Sequence, residues 1–461
     1  MSMPNDASQE HHTFTARATL VAIGIKVRRL SLLQPIFQKV QIAQKTVKFS
    51  PAEKLVDALI TILAGAHGLV EANKRVRPDR GLQRAFGRSG CAEQSVIQET
   101  LDACVSENVK QMEEALAIIY RRHSQGYCHP YDQKRQILDI DLTGRPCGPK
   151  AAFATPGYFS RQRNRRGRQV GYVVATLYEE VVVEQVFPGK DQLPKALRPL
   201  IEAAESVLAL DEAKRRRTIL RIDSGGGTVE HVNWLLERGY QLHCKDYSGQ
   251  RAEKLAAGVQ EWFSDPQDPN RQFGWVTLPT DGMYVRPLRR IAVRCRKKNR
   301  QWGVGVILST LVPEEVLPLV GESPEKANDP QVVLWAYVRF YDQRGGGVEI
   351  EIKEDKHGLG SLRRNKKRFE AQQMVVLLEA LAHNLLVWVR GWLAEACPRL
   401  ARWGLLRWIR DVFHISGLVV FHSSEIIQIV LNRGDPVARE IGPGLAALLA
   451  PEEATVILGE I

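Results

Sequence analysis

Three acidic residues lie in three separate segments of the chain. Asp141 lies in the apolar run ILDIDLTG, Asp223 ends the run TILRID before three glycines, and Glu349 follows YDQRGGGV. Carboxylates delivered by separate elements can converge in space and hold divalent metal ions. The chain also has 64 Lys and Arg against 52 Asp and Glu, a net charge of +12, which favours polyanionic partners. Together these features suggest metal-dependent chemistry on nucleic acid.

Both aspartates belong to predicted strands. Asp139 and Asp141 share one face of a strand expected over residues 136–143. Either this is an exposed edge strand or the carboxylates have partners such as metal ions, because unpaired carboxylates in a core are costly. Asp223 is expected to emerge at the carboxyl edge of the sheet, where ligand sites commonly form. Its alternative role is in a turn or a helix cap.

Glu349 is followed seven residues later by Lys356. Seven residues are two helical turns, so both side chains are expected on one face of a helix, where one can bind metal and the other phosphate. The alternative is a solvated charged helix, because Glu351, Glu354 and other charged residues surround them.

The elements that must position these residues alternate between strand and helix. Strands are expected over 136–143, 170–178, 181–187 and 217–223, with a further strand in YQLHCKDY; helices are expected over 191–208 and 228–238. This is the order strand, strand, strand, helix, strand, helix, strand. It predicts a mixed α/β core.

The segments that flank the core differ from it in predicted secondary structure and in charge. Residues 30–122 are predicted to be helical, with Ser50, Pro51 and Glu53 starting one helix. The linker that follows is basic, which indicates a DNA-contacting module, and it carries Lys74, Arg75, Arg77, Arg80, Arg84 and Arg88. We expect five regions: a helical DNA-binding region at 1–128, the first part of the core at 129–247, a β-rich insertion at 248–332, the second part of the core with the Glu349 helix at 333–390, and a helical region at 391–461.

The cysteines and the hydropathy indicate the cellular compartment. The seven cysteines are scattered and never form a CxxC pair, so neither a disulfide framework nor a zinc ribbon is supported. The amino terminus is polar and no uninterrupted apolar stretch reaches the length of a membrane span. We therefore expect a cytoplasmic protein without membrane association.

The segments DIDLTG, LRIDSGGG and YDQRGGGVEIEIKEDKHGLG resemble the DDE transposases of bacterial insertion sequences, in the branch with the Tyr, Arg, Glu, Lys signature. The resemblance spans roughly 130–390 and implies a ribonuclease H-like core. It also implies that Asp141, rather than its competitor Asp139, is the first catalytic carboxylate, followed by Asp223 and Glu349.

The signature itself maps onto Tyr341, Arg344, Glu349 and Lys356, with one departure. Four residues separate Arg344 from Glu349, one more than the family pattern. Either the glycine loop 345–347 absorbs the extra residue or the active site is disturbed. Glu351 and Glu354 are weaker substitutes for Glu349.

The resemblance implies metal-dependent DNA cleavage followed by strand transfer. The three carboxylates are expected to hold two Mg²⁺ ions, with Mn²⁺ as a possible replacement. The expected partners are the double-stranded inverted-repeat ends of the element and its target DNA, bound by a homodimer in a synaptic complex. The alternatives are a DNA-binding protein of this fold that has lost catalysis, and a nuclease without strand transfer.

DNA contacts are expected from the signature residues and from two basic runs. Tyr341, Arg344 and Lys356 are expected to contact phosphate, and Trp302 or Trp275 to stack on a displaced base, although a tryptophan beside VGVILS also suits a core. The runs are Arg286, Arg289, Arg290, Arg294, Arg296, Lys297, Lys298 and Arg300, and Arg161, Arg163, Arg165, Arg166 and Arg168. Either run can contact phosphate or form a solvated face.

Overall fold

The structure, a computed structural model, describes residues 10–45, 48–157, 159, 165–279, 282–298, 301–449 and 453–461. The strands of these residues are β1 (Glu10–Thr15), β2 (Gln136–Pro146), β3 (Thr155–Pro156), β4 (Arg166–Ala175), β5 (Glu180–Pro188), β6 (Thr218–Ile222), β7 (Gln241–Lys245), β8 (Phe263–Ser264), β9 (Arg271–Trp275), β10 (Arg289–Arg296), β11 (Trp302–Ser309), β12 (Gly417–His422), β13 (Glu425–Asn432) and β14 (Thr455–Gly459).

The α-helices of the described residues are α1 (Ala18–Arg29), α2 (Gln34–Lys39), α3 (Pro51–Leu63), α4 (Arg80–Ala85), α5 (Gln94–Ala103), α6 (Ser106–His123), α7 (Leu193–Leu208), α8 (Glu212–Arg216), α9 (Val229–Glu237), α10 (Gly249–Ala257), α11 (Pro313–Leu319), α12 (Pro330–Asp342), α13 (Val348–Glu354), α14 (Phe369–Trp392), α15 (Leu405–Arg407) and α16 (Pro436–Leu448). The chain divides into two compact units. The terminal unit comprises 1–124, 146–154 and 352–461, and the central unit comprises 125–145 and 155–351.

The central unit is built on one mixed sheet, which confirms the predicted α/β fold class. Along β5-β4-β2-β6-β7 the first two strands are antiparallel neighbours, while β6 lies parallel to both β2 and β7. This sheet holds the five strands in the predicted chain order of a ribonuclease H-like core. Helix α12 packs on it over an apolar cluster that includes Ile219, Ile307 and Leu334.

The β-rich character expected for residues 248–332 is present, but these residues do not form a separate body. Strand β11 pairs antiparallel with β7, and β10, β9 and β8 continue the same sheet outward. The open edge of β7 explains this arrangement, because an unpaired strand edge is a template for further pairing.

The terminal unit contains the long apolar helix α14, which packs against α3, α5 and α6. The segment was expected to close the α/β core, yet it belongs to the other compact unit. By length and composition α14 is long and apolar enough to cross a membrane, but 89% of its most apolar window is buried within the protein. It is a core helix.

The same unit corrects the expected helical character of residues 391–461. Its second half supplies β12, β13 and β14, which form a four-stranded sheet with β1 in the order β1-β12-β13-β14. The run VVFHSSEIIQIVLN is rich in β-branched residues, and Ser423, with φ 58°, lies in the tight turn between β12 and β13.

The capping box predicted for α3 is present, since the Ser50 hydroxyl accepts from the Glu53 N–H and the Glu53 carboxylate accepts from the Ser50 N–H. One member of the basic linker is buried instead of facing DNA. Arg88 is ion-paired with Asp57 and Glu53, and its side chain is 2% exposed. A buried cation needs such partners, so Arg88 serves the core of this unit.

Candidate active site

Two adjacent parallel strands bring the aspartates together. In the β2–β6 register Asp139 lies opposite Arg221, and Ile140 lies opposite Ile222. Asp141 lies two residues after Asp139, and Asp223 lies two residues after Arg221. Because side chains alternate along a strand, Asp141 shares the face of Asp139 and Asp223 that of Arg221.

Asp139, the competitor of Asp141, is committed to a buried ion pair. Its carboxylate accepts from Nε and Nη2 of Arg221 at 2.6 and 2.7 Å and from the Thr176 hydroxyl at 2.8 Å. The side chains of Asp139 and Arg221 are 0% and 2% exposed. These contacts satisfy the carboxylate, so Asp139 has a structural role.

Asp141 lies closer to solvent, with a side chain that is 23% exposed. Its carboxylate accepts from the Leu142 N–H at 2.8 Å and lies 3.9 Å from Nη2 of Arg344. Burial raises the pKa of Asp141, the charges of Asp223 and Glu349 raise it further, and Arg344 opposes them. The charges of Asp223 and Glu349 therefore act on Asp141, which lies within electrostatic range of both.

Asp223 follows the end of β6 and accepts from the Tyr341 hydroxyl at 3.0 Å. Burial by itself raises the pKa of Asp223, but the Ser224 N–H, Arg344, Tyr341 and Lys245 together hold that pKa below its ordinary value. The glycines after it serve packing: a Cβ at Gly227 would lie 1.8 Å from the Lys245 carbonyl oxygen.

Tyr341 and Arg344, which were expected to contact phosphate, are 7% and 3% exposed. Arg344 donates to the Ile140 carbonyl at 3.0 Å and to the Tyr341 hydroxyl at 3.4 Å. Its Nε has no hydrogen-bond partner among the described residues. In this arrangement Arg344 is a buried counter-charge to Asp141 and Asp223, and Tyr341 ties α12 to Asp223.

The glycine loop, which contains the extra residue, forms a run of tight turns between α12 and α13. The N–H groups of Gly345, Gly346 and Gly347 donate to the carbonyls three residues earlier, at 2.9, 3.2 and 3.0 Å. Helix α13 then begins at Val348, and Glu349 lies exposed in its first turn.

The remaining residues of this segment lie elsewhere. Lys356 lies on the π-helical turn Asp355–Leu359, in the terminal unit. Of the two substitutes for Glu349, Glu351 is buried and Glu354 accepts from the Leu405 N–H. Neither offers an exposed carboxylate comparable with that of Glu349.

The three carboxylates fit a divalent cation by chemistry, although no group of three His, Cys, Asp or Glu side chains in the described ranges is closed around a metal position. Carboxylate oxygens are the ligands that Mg²⁺ prefers. Burial is the largest influence that raises the pKa of Asp141; Arg344 opposes it, and the charges of Asp223 and Glu349 add smaller increases. A cation held by Asp141, Asp223 and Glu349 would stabilise the ionised form of these carboxylates.

An aromatic and basic group lies on strands β9, β10 and β11 and just before β8. The Arg294 guanidinium stacks between Trp262 and Trp302, with Cζ at 4.0 and 4.7 Å from their ring centroids, and it donates to Gln272. Trp302 is 39% exposed. Sequence reasoning missed Trp262 and Gln272, and only the strand register brings Gln272 opposite Arg294.

The basic runs divide into exposed and internal members. Arg296, Lys297 and Lys298 are exposed, whereas Arg168 and Arg290 are buried. Trp275 packs edge-on against Tyr337, at 5.6 Å between ring centroids, and so belongs to the core. Arg161, Arg163 and Arg300 lie outside the described residues.

Comparison with known proteins gives one family. The family model described as "Transposase DDE domain group 1" matches residues 12–450. No curated protein sequence matches the chain. Among solved structures, the chain is similar to the piggyBac transposase of a cryo-EM synaptic complex with hairpin DNA, with a TM-score of 0.44 and 10% identity, covering 88% of this chain and 82% of that one.

Proposed function

The chain belongs to the DDE transposase family, and we propose that it cleaves DNA at the ends of its mobile element and joins the freed 3′ ends to target DNA. Asp141, Asp223 and Glu349 are the proposed ligands of divalent metal ions, with Mg²⁺ as the physiological ion. One observation carries the proposal. Asp141 and Asp223 lie at equivalent positions, each two residues beyond the paired residues Asp139 and Arg221 of two parallel strands, and the Arg344 charge acts on both carboxylates.

Each residue of the site has a distinct task in this proposal. Asp223, whose pKa is held low, is anionic across the physiological range and is ready to bind a cation. Asp141, whose pKa is raised mainly by burial, loses its proton more easily once a cation is present. Tyr341 fixes the orientation of Asp223, and Arg344 fixes the Ile140 carbonyl just before Asp141.

Bound Mg²⁺ would supply Lewis-acid activation of the attacking water or 3′-hydroxyl and would offset charge on the leaving oxygen. The protein's own part is to hold the carboxylates and to place the phosphodiester. Exposed Arg296, Lys297 and Lys298 are proposed to contact backbone phosphates. The exposed face of Trp302, backed by Arg294, is proposed to stack on an unpaired base. Lys356 remains a predicted phosphate contact, and a cytoplasmic homodimer that pairs two ends remains the proposed assembly.

Cleavage of DNA that carries the element's terminal sequences tests the proposal. In Mg²⁺ the wild-type protein should nick the end and give joined products with target DNA. Asp141→Asn and Asp223→Asn should bind the end normally and cut at least about 1,000-fold more slowly, because they remove metal ligands. The control is Glu253→Gln on α10, an exposed carboxylate that should cut at the wild-type rate.

The outcomes separate the alternatives. Cleavage retained in both aspartate variants contradicts the assigned site. Cleavage without joined products identifies a nuclease of this fold, and end binding without any cleavage by the wild type identifies a DNA-binding protein that has lost catalysis.

A further inference from the structure

A row of buried polar side chains crosses the central sheet two residues before Asp141 and Asp223 along the chain. Strand register places Asp139, Arg221, His243 and Ser309 side by side on β2, β6, β7 and β11. All four are 1% exposed or less. Polar groups this deep need hydrogen-bond partners, and the partners here come largely from α12 and from the row itself.

The row holds α12 by its main chain. Nη1 of Arg221 donates to the Phe340 carbonyl at 2.8 Å, and Nε2 of His243 lies 3.0 Å from the Tyr337 carbonyl. Phe340 lies in the last turn of the helix, where carbonyls lack intrahelical donors, and the Arg344 N–H donates to Tyr341 instead. A cation at a helix C-terminus is also electrostatically favourable.

The histidine of the row is neutral. Burial, together with the nearby charge of Arg221, lowers the pKa of His243 to about 3. Neutral His243 can donate from Nε2 to the Tyr337 carbonyl while Nδ1 accepts from the Ser309 hydroxyl at 3.1 Å. The row therefore anchors the helix that carries Tyr341 and Arg344.

At its other end the row touches the glycine turn. A Cβ added at Gly347 would lie 3.0 Å from Oδ2 of Asp139 and 2.9 Å from Cγ2 of Thr176. That oxygen is already held by Arg221 and Thr176 and has little room to move. A Cβ at Gly346 would meet nothing closer than the Gln343 carbonyl oxygen, at 3.7 Å.

We propose that the Asp139–Arg221 ion pair is a positioning pair that sets the three candidate metal ligands relative to one another. It joins the strand of Asp141 to the strand of Asp223, holds the end of α12, and supports the turn that leads to Glu349. The inference rests on the proposed function, because it assigns a role toward the same metal site. Because both side chains are buried, the pair would act through the ligands it positions.

Metal binding by the metal-free full-length protein gives a readout that does not depend on catalysis. Arg221→Lys keeps the charge but loses the two-point contact with Asp139 and the bond to Phe340. Isothermal titration with Mn²⁺ should show an affinity about 10- to 100-fold weaker, the range typical of residues that orient metal ligands. Cleavage should slow at low Mg²⁺ and recover in part at high Mg²⁺, with the Kd for end DNA unchanged.

A second buried pair provides the matched control. Arg88 and Asp57 in the terminal unit are also 2% and 0% exposed and make a similar contact, with Nε and Oδ1 at 2.9 Å. Arg88→Lys should lower the thermal stability as Arg221→Lys does, yet leave Mn²⁺ affinity unchanged. Equal loss of Mn²⁺ affinity in both variants would overturn the proposal, because the effect would then be general destabilisation.

The two neighbouring glycines test the same idea if Arg221→Lys does not fold. Gly347→Ala presses on Asp139 and should weaken Mn²⁺ binding about 10-fold or more. Gly346→Ala makes the same change in backbone freedom one residue away and should bind Mn²⁺ as the wild type does. Equal Mn²⁺ affinities in these two folded variants would overturn the positioning role.

The Asp141→Asn variant separates this inference from the proposed function. Mn²⁺ binding that survives Asp141→Asn contradicts the metal site and both proposals with it. Binding that is lost in Asp141→Asn but retained in Gly347→Ala, and in Arg221→Lys where that variant folds, overturns the positioning role alone.

Discussion

Removal of the Tyr341 hydroxyl tests whether α12 is tied to an ionised Asp223. Tyr341→Phe keeps the buried ring, over which Lys245 lies at 4.6 Å, and deletes only the group that donates to Asp223 at 3.0 Å. A hydrogen bond to a charged group contributes about 1.5–3 kcal/mol to stability. For a unit the size of the central one, the loss corresponds to a fall in Tm of roughly 3–12 °C at pH 7.

The Tm deficit of Tyr341→Phe should depend on pH, because Asp223 accepts this hydrogen bond as a carboxylate. Although burial opposes it, the sum of the surrounding interactions lowers the pKa of Asp223 in the folded protein. Such a group contributes stability above its unfolded pKa, about 3.9, and this contribution is lost as the pH falls through the folded pKa. The Tm deficit of Tyr341→Phe should therefore be complete at pH 7 and shrink as the pH falls below about 4 and through the folded pKa.

Tyr337, one turn earlier on the same helix, is the control. Its hydroxyl donates to the Leu311 carbonyl at 2.6 Å, a neutral acceptor. The Tm deficit of Tyr337→Phe should stay constant from pH 7 to pH 3. Thermal unfolding followed by circular dichroism in metal-free buffer measures both deficits. A Tyr341→Phe deficit that is equally constant would refute the bond to an ionised Asp223.

Three further predictions concern DNA and metal. Trp302→Ala should weaken binding of end DNA by about 5- to 150-fold in fluorescence anisotropy, because stacking on one base contributes roughly 1–3 kcal/mol. Trp302→Phe should retain most of the affinity, and equal affinities of the two variants would count against stacking. Replacing both Lys297 and Lys298 by Ala should reduce the slope of log K against log salt by about 0.9 for each lost phosphate contact, and an unchanged slope would place these side chains away from DNA. Chelation of divalent ions by EDTA should stop cleavage and leave end binding in place, whereas cleavage in EDTA would exclude a metal-dependent reaction.

The strand order of the core could be predicted because each strand has a local signature. The runs that became β2, β4, β5 and β6 are apolar and β-branched, and turn residues separate them. The sheet of β1, β12, β13 and β14 could not be predicted in the same way. Its pairing joins residues 10–15 to residues 417–422, and no local pattern carries a contact across such a separation.

The sequence predicts which acids form the candidate site, and that assignment stays a prediction; it does not predict whether the cations beside them are buried. The sequence around Arg344 does not show whether its side chain is exposed to phosphate or buried. Its burial depends on residues distant in sequence, at the end of β2 and in the turn after Asp223. The same limit applied to Asp139 and Asp141. They share one strand face, so their side-chain pattern alone does not distinguish them. The pairing of β2 with β6 gives Asp139 a partner in Arg221, 82 residues away along the chain.

The extent of strand pairing gives Asp139 and Asp141 different environments. Where β2 and β6 are still paired, Arg221 faces Asp139, excludes solvent and satisfies both carboxylate oxygens. Two residues later the pairing has ended, and Asp141 keeps a single main-chain donor at 2.8 Å with Arg344 at 3.9 Å. A carboxylate satisfied on all sides has little to gain from a cation, whereas one held among like charges gains a great deal. The same two-residue step therefore separates the buried Asp139–Arg221 ion pair from Asp141, the carboxylate that we propose binds metal.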